Sequence, residues 1–145
     1  MSNQTFEDLF NLVCGKQLGE GIHRKVFECS LRDDLVVKVE KEEVFRFFAN
    51  VHEIAFYNAV PYAAQRWLAK PDMLSPDGRI LLMQRAIPAT DLAEMPTELP
   101  AFLCDIKLEN FGWVREKDTR RLVCLDYALV HFGNPSLRMC KVKWK

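Results

Sequence analysis

An aspartate, a lysine and an asparagine stand at positions 105, 107 and 110 of Asp105-Ile-Lys-Leu-Glu-Asn110, and a second aspartate, Asp126, follows sixteen positions later in Cys-Leu-Asp-Tyr-Ala. These residue types suit phosphoryl transfer. An Asp can accept a hydroxyl proton, a nearby Lys can neutralise charge on a moving phosphoryl group, and an Asn and a second Asp can hold Mg²⁺ against phosphates. Each residue is weak evidence alone; as a set they are polar groups among apolar neighbours.

The first half of the chain holds matching parts. Leu18-Gly-Glu-Gly-Ile-His-Arg-Lys-Val26 places Gly19 and Gly21 ahead of Val26, Val36-Val-Lys38 follows, and Glu53 lies fifteen residues after Lys38. From about Gly15 to about Gly133 this order resembles a protein kinase, in which a Gly-rich loop covers nucleotide phosphates, a strand Lys contacts them and a helix Glu holds the Lys. The resemblance implies an α+β, protein-kinase-like fold. It would have a five-stranded antiparallel N-lobe with one main helix over about residues 1–84 and a strongly abbreviated C-lobe over 85–145. It further implies ATP held between the lobes, with Gly19 and Gly21 allowing backbone to approach its phosphates and Val26 and Val36 covering the adenine. Met83 would line the back of that pocket, and Gln84 to Ala86 would connect the lobes and offer backbone groups to the adenine edge. Lys38 would contact phosphate and Glu53 would orient it, while Asn110 and Asp126 would hold Mg²⁺, Asp105 would position the acceptor hydroxyl and Lys107 would neutralise charge.

The chain departs from the family pattern at four places. Arg24 occupies the third glycine position of the loop, where its side chain would redirect the cover or itself meet phosphate. Leu103-Cys104 replaces the His-Arg that usually precedes the base, which removes the reader of a phosphorylated activation segment. Tyr127-Ala128 replaces Phe-Gly after the metal aspartate, and only 19 residues follow Asp126, without the segment and helices that form a protein-substrate platform.

Elements that would position these residues are visible in the periodicity. Phe6, Leu9, Phe10 and Val13 fall at helical spacing over Thr5 to Val13, with Thr5 and Asp8 near the start. Lys16 to Gly19, Lys25 to Leu31 and Leu35 to Val39 read as a three-stranded meander. A helix is expected over Glu42 to about Asn58, with Val44, Phe47, Phe48, Val51, Ile54 and Ala55 on its buried face, Glu53 on its flank, and Glu42-Glu43 at its positive N-terminus. Trp67 to Leu74 and Arg79 to Gln84 read as strands joined by the turn Ser75-Pro-Asp-Gly78. Pro88, Pro96 and Pro100 leave room for one short helix around Glu98 to Cys104. Phe111 to Val114 and Arg121 to Leu125 then form a hairpin around Glu116-Lys-Asp-Thr119.

Twenty basic and twenty acidic residues give no net charge, so no broad electrostatic footprint for nucleic acid or membrane is expected. The basic tail Lys141-Val-Lys-Trp-Lys145 reads as a solubilising or fraying end rather than a binding patch. Five widely spaced cysteines without a C-x-x-C pair suit a reducing, cytoplasmic setting, with Cys104 buried rather than nucleophilic. His23, His52 and His131 lack metal-ligand spacing, and Trp113 reads as core. No apolar run is long enough to cross a bilayer.

Two functions fit this reading. One is a minimal ATP- and Mg²⁺-dependent phosphotransferase that moves the γ-phosphate to a hydroxyl acceptor. The other is a pseudokinase-like interaction protein, which keeps the scaffold and binds or mimics a protein partner, such as a host kinase or its target, through the surface left by the reduced C-lobe.

Overall fold

The computed structural model describes residues 2–43, 48–128, 130 and 135–145, and the chain divides into two compact units, residues 1–55 with 70–85 and residues 56–69 with 86–145. The first unit begins with helix α1 (Asn3–Val13), started by Ser2, whose hydroxyl accepts the Thr5 backbone N–H at 3.1 Å. Its apolar stripe of Phe6, Leu9, Phe10 and Val13 packs on one sheet face, with Phe10 edge-on to Phe27 at 5.2 Å.

That sheet has strands β1 (Cys14–Glu20), β2 (Arg24–Cys29), β3 (Leu35–Glu40), β4 (Pro71–Leu74) and β5 (Ile80–Gln84) in the order β1-β2-β3-β5-β4, all antiparallel. The class is α+β with a five-stranded antiparallel sheet. Side chains alternate between faces along each strand. Phe27, Leu35, Val37, Val39 and Ile80 therefore meet α1 on one face, and the cross-strand pairs Arg24↔Glu40, Val26↔Lys38 and Val36↔Met83 stand on the other. β4 begins only at Pro71, because Trp67 and Ala69 give their backbone groups to Cys124 in the second unit instead. The turn before β5 forms as its residues predict: the Gly78 N–H donates to the Ser75 carbonyl at 2.9 Å, and Gly78 takes a φ of +78° that favours glycine.

Helix α2 (Ala49–Ala59) starts later than its apolar pattern suggests, and the division into units falls within it. Phe48 has a φ of 56°, which a right-handed helix cannot contain, so Glu42 and Glu43 stand outside α2; Val44 and Phe47 lie outside the described residues. The carboxylate at its N-terminus comes from the sheet: Glu40 Oε1 accepts the Asn50 backbone N–H at 2.6 Å. The buried stripe is also different from the expected one. Ala49, Asn50, Glu53 and Phe56 are buried, whereas Val51 is exposed and Ile54 and Ala55 are half-buried.

The second unit has the short helix α3 (Tyr62–Gln65), a three-stranded sheet in the order β6 (Ile87–Pro88), β8 (Phe111–Glu116), β9 (Thr119–Cys124), and a pair of β7 (Glu98–Pro100) with β10 (Met139–Lys141). Phe56, Leu68, Leu99, Phe111, Val123 and Tyr127 fill its core, and the Tyr127 hydroxyl donates to the Ala69 carbonyl at 2.7 Å. Two expectations fail here. Glu98 to Pro100 is a strand rather than the start of a helix, because prolines at 96 and 100 disfavour a helical ladder and the tail supplies a partner strand. The tail does not fray: the Trp144 indole N–H donates to the Pro96 carbonyl at 2.8 Å, and its ring meets Phe111 edge-on at 5.0 Å.

Gly112 in β8 lies against β6 so closely that a Cβ there would stand 2.8 Å from the Ala86 Cβ and 2.9 Å from the Ile87 carbonyl oxygen. Backbone cannot yield as a flexible side chain would. Gly112→Ala is expected to cost about 1–3 kcal/mol, read as a lower urea midpoint; an unchanged midpoint would contradict this packing.

Candidate functional site

In the first unit the site grows from the sheet face opposite α1. Register places Val26, Val36, Lys38 and Met83 on that face, and Gly19, paired with Val26, joins them. Lys38 is 4% exposed and Glu53 0%, and their Nζ–Oε1 distance is 2.6 Å. Glu53 is thus at the centre of α2's buried face, not on its flank.

The sequence reading missed a second cation. Arg24, the first residue of β2, is not held out in the glycine loop: its two terminal nitrogens donate to the two Glu53 carboxylate oxygens at 3.0 and 3.1 Å, and Nη1 also meets Asn50 Oδ1 at 3.1 Å. Asn50 in turn donates to the carbonyls of Lys38 at 3.2 Å and Gly78 at 3.1 Å, which fastens α2 to β3 and to the turn before β5. The available signal was strand alternation, since Arg24 is two residues before Val26 and must share its face.

The electrostatics follow from this geometry. Burial alone would push the Glu53 carboxyl up, but the Arg24 guanidinium and the Lys38 ammonium hold it down at about 2. Glu40 is also buried, and burial raises its carboxyl in spite of the Asn50 N–H and the Arg24 charge; its Oε2 has no hydrogen-bond partner among the described residues.

Gly19 and Gly21 have no positive φ, and a Cβ added at Gly19 would meet nothing within 4 Å, while one at Gly21 would meet only the Arg24 carbonyl at 3.9 Å. Neither glycine is needed by the fold, so the space beside them is open. At the connector, Met83 is buried, the Gln84 N–H donates to the Lys70 carbonyl and the Arg85 N–H to the Asp34 carbonyl, both at 2.8 Å. Gln84 opposes Leu35, which puts its side chain on the face away from Lys38; Ala86 belongs to the second unit.

In the second unit Asp105, Lys107 and Asn110 form one hydrogen-bonded group. The Asn110 Nδ2 donates to the Asp105 carbonyl and to its Oδ2, each at 2.9 Å. Lys107 Nζ lies 3.1 Å from Glu109 and 3.5 Å from Asp105, and Glu109 first, then Asp105, holds its ammonium above the usual range. Asp105 is exposed with a φ of 52°, an unfavourable state for a residue with a side chain and one that collects at functional sites. The Leu125 N–H donates to the Asn110 carbonyl at 2.7 Å, which sets Asp126 beside this group; Asp126 is exposed, and its Oδ1 accepts from Ala128 N at 3.5 Å.

The tail builds this loop as well. The Ala101 and Phe102 N–H groups donate to the Arg138 and Ser136 carbonyls, and the Lys145 N–H donates to the Ile106 carbonyl at 3.1 Å. Cys104 is exposed rather than buried, but desolvation and the Asp105 and Asp126 carboxylates raise its thiol, so it is a poor nucleophile. All five cysteines are free thiols, and burial pushes Cys14 up to about 12. His131 lies outside the described residues, and no helix among the described residues is long and apolar enough to cross a membrane.

Trp113 is half-exposed, not core, with the Arg120 guanidinium over its ring at 3.9 Å. It walls two cavities of about 550 Å³ in the second unit, neither of which is lined by Asp105, Lys107, Asn110 or Asp126. Compared with models of known protein families and with curated proteins, the chain matches none.

Proposed function

We propose that the protein is a kinase-like nucleotide-binding protein, a minimal phosphotransferase that uses ATP and Mg²⁺ to phosphorylate a hydroxyl acceptor. The observation that carries this reading is the buried Lys38–Glu53 pair, fixed by Arg24 and Asn50. Buried ion pairs contribute little to stability compared with apolar packing, so an assembly of this kind points to a task for the lysine.

The residues present suit the group they would bind. The open space at Gly19, on the Lys38 face, leaves room for phosphate oxygens against backbone, and Val26, Val36 and Met83 give that face an apolar stretch for a base. In the second unit Asn110 commits its amide nitrogen to Asp105, which leaves Oδ1 as its oxygen for a cation. Asn110 and Asp126 together offer two oxygen ligands, a number suited to Mg²⁺ that takes the rest from phosphates and water. When bound, the ion would draw charge from the phosphate oxygens. Asp105 would accept the acceptor's proton, with Lys107 beside it as a compensating charge.

Thermal midpoints with and without Mg-ATP test the reading, in wild type, Lys38→Met and Asp126→Asn. At one hundred times the dissociation constant, the ligand is expected to add roughly 2.7 kcal/mol to the wild type, with the shift reduced in both variants. No shift in the wild type would end the nucleotide proposal.

One observation favours the second reading, a partner-binding protein without turnover. Among the described residues that lie wholly in the second unit, the longest helix is α3, with four residues, which is little scaffold for an acceptor. Nucleotide binding without turnover would select that reading.

A further inference from the structure

One of the two cavities around Trp113 has the composition of a ligand site. Its walls are the Trp67 and Trp113 indoles, Tyr62, Pro96 and Leu122, and its volume of about 550 Å³ is within the range of small-molecule pockets. It involves no residue assigned above to nucleotide or metal.

The polar groups around it are unevenly committed. Arg121 is bound to Glu116 and to the Arg66 carbonyl, and Glu94 pairs with Arg120 at 3.2 Å, whose guanidinium lies over the Trp113 ring. These contacts fix one wall. The exposed Arg66 guanidinium makes no ion pair among the described residues.

We propose that this cavity binds a small planar aromatic anion, its ring against the Trp67 and Trp113 indoles and its carboxylate on the Arg66 guanidinium. Aromatic walls favour a flat ring, and a guanidinium favours a carboxylate over a cation or a neutral group.

Fluorine NMR of the full chain with 4-fluoro-1-naphthoate tests this, with neutral 4-fluoro-1-naphthamide as the control. The naphthoate is expected to bind about tenfold more tightly than the amide, as a charge-assisted hydrogen bond allows. Arg66→Gln, a substitution at an exposed side chain, is expected to remove that preference, and Trp67→Phe to weaken both probes. Saturating Mg-ATP is expected to leave the naphthoate in place. The proposal is overturned if neither probe binds at millimolar concentration, if Arg66→Gln leaves the preference intact, or if Mg-ATP displaces the naphthoate.

Discussion

Glu53→Gln is expected to lower unfolding free energy by about 3–5 kcal/mol, the largest loss of any single conservative change in the first unit. The carboxylate is fully buried and is shared by Arg24 at 3.0 and 3.1 Å and Lys38 at 2.6 Å. A neutral amide of the same size removes the carboxylate that the two buried cations share, and that desolvation penalty dominates the effect. Replacing all three residues by methionine removes the charges together and is expected to cost much less, since apolar packing can substitute for a buried ion network. Urea unfolding at neutral pH distinguishes the two. A Glu53→Gln loss as small as that of a surface substitution would mean that the three side chains are not paired.

The same carboxylate sets the acid limb of stability. Glu53 is held at about 2 in the folded protein, below its unfolded value, so the native state binds fewer protons. Its contribution is fully present above the unfolded value of about 4.3 and is lost as pH falls through the folded value. Glu40 acts in the opposite sense: burial raises it, so its contribution is present below the unfolded value and lost as pH rises through the raised one. Glu53→Gln should therefore flatten the acid limb, whereas Glu40→Gln should leave that limb and flatten the rise of destabilisation above it.

Much of the first unit was legible because strands and helices have fixed periods. The alternation of β2 and β3 and the strong turn at Ser75 to Gly78 fix the register, and the register puts Val26, Val36, Lys38 and Met83 on one face. The buried side of α2 was misread for a physical reason. Periodicity assigns the buried stripe to Val51, Ile54 and Ala55, but Asn50 and Glu53 have partners in the sheet, and satisfied polar groups outcompete apolar ones for that face. Arg24 shows the same limit. Its place in a glycine-rich segment suggests a loop, and which carboxylate it takes depends on where α2 docks.

In the second unit the hairpin of β8 and β9 follows from its residues, but the pairing of β7 with β10 does not. Three-residue strands far apart in sequence carry almost no periodic signal, and Lys141 to Lys145 look like a solvated end by charge alone. What holds them is the shape of Trp144 and the Pro96 carbonyl. Asp105, Lys107 and Asn110 were legible as a group because six consecutive residues must keep their functional side chains close; the backbone strain at Asp105 was not.

Asp105→Asn is expected to reduce ATP turnover by a factor of about 10²–10⁴ while it leaves folding and the Mg-ATP thermal shift in place, if the proposed reading is correct. Asparagine tolerates the left-handed backbone that Asp105 adopts at φ 52° and keeps an oxygen for the Asn110 Nδ2, so the loop retains its geometry. What it loses is the ability to take a proton. Asp126→Asn acts elsewhere, on cation binding, and should reduce the thermal shift itself; the pair of variants thus separates base from ligand. Undiminished turnover in Asp105→Asn would remove Asp105 from the chemistry. A wild type that binds Mg-ATP without measurable turnover would instead mean that the strained aspartate and its asparagine brace serve a bound state, with the nucleotide acting to hold a surface in shape for a partner.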